Sequence, residues 1–223
     1  MSDEPRTPQD AQRKHWEALF AAKPAMFGEA PSAAARAALE VFKREKCAKL
    51  LELGAGQGRD ALFFGQNGFQ VTALDYSKAG LETISRKAQD LGLSHQVLPI
   101  CHDIRTRLPF EDQSFDGCYS HMLFCMALET DDLERLCGEV RRVLRPSGLH
   151  IYTVRTTADP QYGTGVPRGT DMYEISGGFI VHFFNEATVA RLSRGYELLA
   201  CDSFEEGSLP RKLFRVTMRK EAP

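Results

Sequence analysis

The chain has 223 residues, 43% of them hydrophobic, and a formal net charge of −2 at pH 7. This length favours a single domain, residues 1–223, that is large enough to bury a substantial core. The balanced charge excludes a protein that binds mainly nucleic acid or an anionic membrane, because both require a dense positive surface. No apolar run has transmembrane length and the polar N-terminus lacks a signal-peptide pattern, so we expect a cytoplasmic protein. The six cysteines form no C-x-x-C pair, which predicts neither a disulfide framework nor a metal site.

The N-terminal segment predicts a helical cover. Residues 1–12 are polar and contain two prolines, so we expect them to fray. A helical pattern follows over residues 12–21 and ends before a proline. Ser32 is then a good N-cap for a second helix over residues 33–44.

An apolar run over residues 50–53 predicts a buried strand, and three glycines at alternate positions follow it. After Gly54, Gly56 and Gly58 the chain has the pattern of a helix start. A strand, a glycine turn and a helix point backbone N–H groups at a bound polar group, and a tight turn without a ligand is the alternative. Dinucleotide sites instead require G-x-G-x-x-G, whose third glycine would fall here at Arg59.

The run E-L-G-A-G-Q-G-R-D resembles the first motif of the class I S-adenosylmethionine-dependent methyltransferases, E/D-x-G-x-G-x-G. The resemblance implies that the cofactor is S-adenosyl-L-methionine, that the product is S-adenosyl-L-homocysteine, and that the loop holds the methionine end. It also implies a Rossmann-like α/β fold, a mostly parallel seven-stranded sheet with helices on both faces and a reversed last strand. The cofactor-binding residues expected in this motif are Glu52, Gly54, Ala55, Gly56 and Arg59.

An acidic residue ends the second predicted strand, residues 69–74. Asp75 follows the glycine loop by about 20 positions, the spacing at which a carboxylate accepts the ribose hydroxyls of an adenosine group. The alternative is a turn or capping aspartate, because Ser77 begins a helix. The resemblance places Tyr76 against the adenosine, and Ser77 joins the expected cofactor-binding residues.

A third strand over residues 96–101 leads to Asp103 and Ile104. The resemblance implies that the Asp103 carboxylate accepts the adenine amino group and that Ile104 packs on the ring, and a turn aspartate is the alternative. The runs L-P-F-E-D-Q-S-F-D and L-R-P-S-G resemble the family segments before the fourth and fifth strands.

The fourth predicted strand, residues 117–120, ends at the position where ligands bind in open α/β sheets. Ser120 is therefore expected to contact the cofactor and Phe124 the substrate. His121 is the candidate catalytic residue, because an imidazole can take a proton from an acceptor near neutral pH. A hydrogen-bonded structural histidine is the slightly favoured alternative.

A substrate cover is expected from two parts of the chain. Trp16, Phe20 and Phe27 lie close together in the N-terminal segment, where aromatic residues either seal the core edge or form a lid. A long stretch with several glycines and prolines follows the fifth strand and carries Tyr162 and Tyr173. The H-W-E-x-x-F…P-x-M-F-G-x-x-P-S run also resembles, more loosely, the leading segment of thiopurine and tellurite-resistance type methyltransferases.

These features predict one methyltransferase domain in three parts: a helical cover over residues 1–46, a cofactor-binding core over residues 47–154, and a substrate-side loop with two C-terminal strands over residues 155–223. The predicted function is methyl transfer from S-adenosylmethionine to a small-molecule acceptor by a monomer or homodimer. The acceptor atom (O, N, S or a metalloid) stays open. A non-catalytic S-adenosylmethionine-binding module is an alternative, because methyl transfer requires no invariant catalytic side chain. A nicotinamide-dependent oxidoreductase is a less favoured one.

Overall fold

The structure is a computed structural model that describes residues 8–207 and 211–222. The helices in these ranges are α1 (Pro8–Ala22), α2 (Ala33–Arg44), α3 (Arg59–Gln66), α4 (Lys78–Asp90), α5 (Thr130–Val143) and α6 (Glu186–Leu192). The strands are β1 (Lys49–Leu53), β2 (Gln70–Asp75), β3 (Val97–Cys101), β4 (Phe115–His121), β5 (Leu144–Arg155), β6 (Val166–Gly169), β7 (Met172–Ile175), β8 (Phe179–His182), β9 (Tyr196–Glu206) and β10 (Arg211–Lys220). None of these helices is both long enough and apolar enough to span a bilayer.

Seven strands form one sheet in the order β3-β2-β1-β4-β5-β10-β9. The first five of these strands run parallel, whereas β10 runs antiparallel to both β5 and β9. This order confirms the expected class I sheet with its reversed last strand. The order reverses between β1 and β4, which is where ligands bind in open α/β sheets.

The strand register brings the predicted site residues to one edge of the sheet. Glu52 on β1 pairs with Ala73 on β2 and with Tyr119 on β4. The carboxyl ends of these strands, at Asp75 and His121, therefore lie on either side of the loop that follows β1.

The two faces of the sheet bury separate apolar clusters, because alternate strand residues point to opposite faces. On one face Phe42 of α2 and Phe64 of α3 pack near Tyr119. On the other face Leu51 and Cys118 belong to the cluster that contains the buried side of α5 and α6. The sheet is thus covered by helices on both faces, as expected.

The stretch expected to be a loop after the fifth strand contains β6 and β7, which pair with β8 in a separate three-stranded sheet. These strands have four residues each, and β6 is exposed throughout, so the sequence shows no period-2 alternation there. The first helix also begins at Pro8, four residues before the predicted start, because a proline is well tolerated in the first helical turn. The predicted fraying of residues 1–7 lies outside the described residues.

Candidate active site

The loop after β1 has a backbone conformation that requires glycine. Gly54, Gly56 and Gly58 have φ values of 69°, 54° and 81°. A Cβ added at Gly54 would lie 2.9 Å from the Cβ of Leu123, and one at Gly58 would lie 2.6 Å from a side-chain carbon of Ile84. The loop therefore packs closely against the segments that carry Leu123 and Ile84. Helix α3 begins directly after the last of its three glycines.

Asp75 holds this loop. Its Oδ2 accepts a 2.8 Å hydrogen bond from the Gly56 amide, and its Oδ1 accepts one of 2.8 Å from the Ser77 amide. Burial raises the pKa of the Asp75 carboxyl, and these backbone bonds oppose that shift. A carboxylate has about four acceptor positions, so these two bonds leave room for ribose hydroxyls.

Ser77 caps the N-terminus of α4. Its hydroxyl is fully buried and accepts a 3.1 Å hydrogen bond from the Gly80 amide at the start of α4.

Two polar atoms beside the glycine loop are buried and make no hydrogen bond with the described residues. They are Oε2 of Glu52 and Oγ of Ser120. Burial first, and then the charge of Asp60, raises the pKa of Glu52 well above its usual range. Unpaired buried polar groups are rare and costly, so each of these two atoms, on neighbouring strands, is available to a polar ligand at this edge of the sheet.

The expected adenine end lies beside β3. Arg105 engages the Asp103 carboxylate with Nε–Oδ1 and Nη2–Oδ2 distances of 3.0 and 2.6 Å. Burial opposes ionisation of Asp103, but the hydrogen bonds and charge of Arg105 outweigh it and lower the pKa of this carboxyl. Ile104 is buried, and the guanidinium of Arg13 lies over the Tyr76 ring at 5.9 Å. The residues predicted to contact adenosine thus lie together beside β3, at one end of the edge formed by the carboxyl ends of the strands.

Helix α1 lies directly over the glycine loop. The Phe20 ring is 5% exposed and lies 3.3 Å from the position of a Cβ at either Gly56 or Gly80. The Gln57 amide nitrogen donates to the Lys23 carbonyl at 2.7 Å, which fixes the end of α1. The predicted N-terminal segment therefore covers the loop itself.

The cover is aromatic. Ring centroids of Trp16 lie 5.4 Å from Phe20, 6.3 Å from Phe27 and 4.9 Å from Phe179. The structure thus brings the three predicted aromatic residues together and adds Phe179 from β8. No motif surrounds Phe179 in the sequence, so pattern reasoning did not identify it.

His121 lies at the carboxyl end of β4 with both ring nitrogens engaged. Its Nδ1 is 2.9 Å from Oγ1 of Thr153, and its Nε2 is 3.2 Å from Oε2 of Glu206. The hydrogen bond from His121 lowers the pKa of the Glu206 carboxyl. Glu206 is the last residue of β9 and was missed by the sequence analysis, because nothing in a strand-end glutamate indicates a partner on β4.

Arg59 was expected to bind the cofactor, but its guanidinium points toward the cover. Nη1 donates to the Phe27 carbonyl at 3.3 Å, and the guanidinium carbon lies 5.9 Å from the centre of the Phe27 ring. The positive charge of Arg59 also helps to lower the pKa of Glu206. Arg59 therefore belongs to the same side of the site as His121.

The expectation that Phe124 contacts substrate is wrong. Phe124 is fully buried and stacks on Tyr152 at 4.8 Å, inside the core. The chain turns at Met122, whose φ is 64°, and this turn directs the following residues back into the molecule.

Tyr162 and Tyr173 do come together, with ring centroids 5.6 Å apart. They pack on Phe183, and the Tyr162 hydroxyl donates to Asp171 at 2.6 Å. Their rings thus form part of the packing of the three-stranded sheet. In the part of the chain that the structure describes, no ring contact joins them to the aromatic cover.

The comparisons with known proteins agree with this geometry. Residues 50–148 match the family model described as a methyltransferase domain. Methyltransferase phqN of Penicillium fellutanum is 28% identical over 159 residues, which are 69% of this chain and 47% of that protein. The 24-methylenesterol C-methyltransferase 2 of Oryza sativa subsp. japonica is 35% identical over 107 residues, 46% of this chain and 28% of that protein. The chain thus spans half or less of the length of these curated relatives.

A solved structure covers the whole chain. It is the 1,6-didemethyltoxoflavin-N1-methyltransferase of Burkholderia thailandensis with bound 1,6-didemethyltoxoflavin and S-adenosylhomocysteine. The TM-score is 0.76 at 20% identity, over 100% of this chain and 94% of the other. The expected resemblance and fold class are confirmed: residues 50–148 match the model of a methyltransferase domain, and the chain has the fold seen in class I S-adenosylmethionine-dependent methyltransferases.

Proposed function

We propose that the protein is an S-adenosylmethionine-dependent methyltransferase that acts on a small-molecule acceptor. The observation that carries this proposal is the glycine loop held by Asp75, with the unpartnered Glu52 Oε2 and Ser120 Oγ beside it. A buried carboxylate and two unpartnered polar atoms at this edge fit a cofactor that has both a ribose and a charged amino-acid end.

When bound, S-adenosylmethionine supplies an activated methyl group and a neutral leaving group. Gly54 and Gly56 would hold its methionine end, Asp75 its ribose, and Asp103 with Ile104 its adenine. The chain then has to align an acceptor and exclude water, which the apolar cover of Phe20 and its neighbours is suited to do.

A small acceptor is supported by the cover and by the charge of the chain. The aromatic rings of Trp16 and Phe27 cluster with Phe20, which packs on the glycine loop, and a cover of this kind favours a small acceptor over a macromolecule. The net charge of −2 also disfavours a nucleic-acid acceptor. The Burkholderia thailandensis enzyme, whose fold covers this chain, is described with a small molecule bound together with S-adenosylhomocysteine.

The test is calorimetric titration with S-adenosylmethionine, S-adenosylhomocysteine and NADH. We expect dissociation constants on the order of micromolar for the first two ligands. We expect no heat from NADH, because Arg59 stands at the third glycine position of a dinucleotide loop. Binding of NADH alone would favour an oxidoreductase. Cofactor binding without turnover of any acceptor in a broad panel would favour a non-catalytic module.

A further inference from the structure

Polar partners lie within 3.2 Å of both ring nitrogens of His121. Thr153 Oγ1 accepts a 3.0 Å hydrogen bond from the Met122 amide, so its own hydrogen is available to His121 Nδ1, which lies 2.9 Å away. The other nitrogen then carries its hydrogen toward the Glu206 carboxylate at 3.2 Å. An imidazole with both nitrogens occupied in this way is held firmly, but it has no position at which to receive a proton from an acceptor.

Glu206 has the position that His121 lacks. Its Oε2 faces His121, whereas its Oε1 makes no hydrogen bond with the residues that the structure describes. The Glu206 side chain is 22% exposed. The hydrogen bond with His121 lowers the pKa of this carboxyl, burial opposes the shift, and the charges of His121, Arg59 and Arg211 lower the pKa further. They keep it ionised.

Glu206 also lies on the correct side of the site. Its partner His121 ends β4, and Leu123, two residues later, packs against Gly54 of the glycine loop. Arg59, whose charge acts on Glu206, is the first residue of the helix that follows that loop. The contact with His121 therefore places Glu206 near the carboxyl end of β4, the edge of the sheet where ligands bind in open α/β sheets.

We propose that Oε1 of Glu206 receives the proton of a hydroxyl or amine acceptor, and that His121 is the positioning residue that holds this carboxylate. The inference rests on the proposed function and deepens it, because it assigns the acceptor class. It also changes the role of His121 from proton acceptor to hydrogen-bond donor.

The step balances as follows. A lone pair on the acceptor oxygen or nitrogen forms the new bond to the methyl carbon. The bond between that carbon and sulfur breaks, and its electron pair stays on sulfur. The acceptor O–H or N–H bond breaks, its electron pair stays on the acceptor atom, and the proton bonds to Glu206 Oε1. Water removes this proton after the product leaves.

The first test compares Glu206→Gln with Glu205→Gln in a panel of small hydroxyl, amine and thiol acceptors. Glutamine keeps an oxygen for the His121 N–H but cannot take a proton. We expect kcat for hydroxyl and amine acceptors to fall by about 100-fold or more in Glu206→Gln, with the dissociation constant of S-adenosylhomocysteine within twofold of wild type. Glu205 is exposed on the same strand, so its variant matches the charge change and is expected to keep full activity.

Thiols provide an internal control. At pH 9.5 a thiol is largely ionised and has no proton to lose, so Glu206→Gln is expected to methylate a thiol nearly as fast as wild type does. Full hydroxyl and amine turnover in Glu206→Gln overturns the proposal, and so does a wild-type enzyme that methylates thiols alone.

The pH profile separates the two candidate proton acceptors. Because the pKa of Glu206 is lowered, kcat/KM of the wild type for a hydroxyl acceptor, which does not itself titrate in this range, is expected to stay level as pH falls from 8 to 5.5. An imidazole that accepts the proton would instead make it fall near pH 6.5. His121→Asn is expected to lower kcat by about tenfold while KM changes little, because only the positioning of Glu206 is lost.

Nitrogen-15 NMR of the histidines tests the geometry without any acceptor. The proposal requires His121 to carry its hydrogen on Nε2 in the complex with S-adenosylhomocysteine, and Glu206→Gln to retain that tautomer. A His121 ring with its hydrogen on Nδ1 and a free Nε2 overturns the proposal. The NMR result decides between the roles of Glu206 and His121 if Glu206→Gln binds the cofactor too poorly for turnover to be compared. Failure of the wild-type protein to bind S-adenosylhomocysteine would overturn the proposed function. If the wild-type protein binds it normally and Glu206→Gln turns over hydroxyl and amine acceptors as fast as wild type, only the role of Glu206 is overturned.

Discussion

At the scale of single residues, Asp75 shows how one side chain can serve both the fold and a ligand. Its carboxylate fixes the Gly56 amide on one side and the Ser77 amide on the other. Sequence spacing predicted a ribose contact, with a turn aspartate as the alternative. The structure shows that the turn contacts exist, and they leave acceptor positions open toward the cofactor side.

Replacement of Asp75 by Ala tests that assignment. The variant loses the anchor of the glycine loop and the expected ribose acceptor, so we expect the dissociation constant of S-adenosylmethionine to rise by about 100-fold or more. Calorimetry measures this, and circular dichroism reports whether the variant is folded. Asp90→Ala removes an exposed carboxylate at the end of α4 and is the matched control. A folded Asp75→Ala protein with wild-type affinity would show that Asp75 serves only the turn.

The two unpartnered atoms at the site belong to residues that the sequence had placed near the cofactor. Glu52 and Ser120 were expected there from the motif and from the strand end, respectively. Their isolation from hydrogen bonds became visible only with the coordinates, because burial depends on the packing of strands far apart in sequence.

At the scale of elements, the cover formed by α1 decides access to the glycine loop. Phe20 packs on the positions above Gly56 and Gly80, so the helix has to move away from the loop for a cofactor to enter or leave. The Gln57 side chain and the pairing of Glu17 Oε1 with the Ala79 amide at 3.1 Å hold the helix in place.

Shortening Phe20 to Ala is expected to speed the dissociation of S-adenosylhomocysteine by about tenfold, which corresponds to about 1.4 kcal/mol of lost packing. Trp16 is the single tryptophan of the chain and lies 5.4 Å from Phe20, so its fluorescence in a stopped-flow displacement experiment reports the rate. Phe27→Ala is the control, since that ring belongs to the same cluster but is 44% exposed. Equal dissociation rates for wild type and Phe20→Ala would show that the cover does not limit exchange.

The three-stranded sheet is the element that sequence reasoning missed. Its strands are four residues long and form through pairings such as Met172 with His182, which local periodicity does not record. The same sheet supplies Phe179 to the cover. A region expected to be a substrate-side loop thus contains strands, one of which supplies a ring to the aromatic cover.

At the scale of the whole molecule, we expect buried histidines to lower stability in acid. Both nitrogens of His150 are buried without a hydrogen bond to the described residues, among Phe124, Tyr152 and Tyr196. Burial lowers its pKa from 6.5 to about 3. Burial also lowers the pKa of His182.

The direction in which pH changes the unfolding free energy follows from proton binding to His150. Because the unfolded chain binds a proton at His150 that the folded protein excludes, this residue costs no stability above pH 6.5 and progressively more as the pH falls toward about 3. The slope from one such group is at most about 1.4 kcal/mol per pH unit. His150→Leu is therefore expected to flatten the fall in unfolding free energy between pH 7.5 and pH 5, as measured by urea unfolding. Exposed His95→Leu is expected to change nothing, and a wild-type slope in His150→Leu would contradict the assignment.

By itself the sequence determined the cofactor half of this protein: the strand, the three glycines, Asp75 and the order of elements that predicts a class I sheet. These features are local, because turn conformation and strand periodicity depend on neighbouring residues. Only the tertiary structure decided how the acceptor side is built. It paired Glu206 with His121, turned Arg59 toward Phe27, placed Phe124 in the core and set α1 over the loop. Those contacts join residues far apart in the chain, and they arise from sheet order and side-chain packing, which no local pattern encodes.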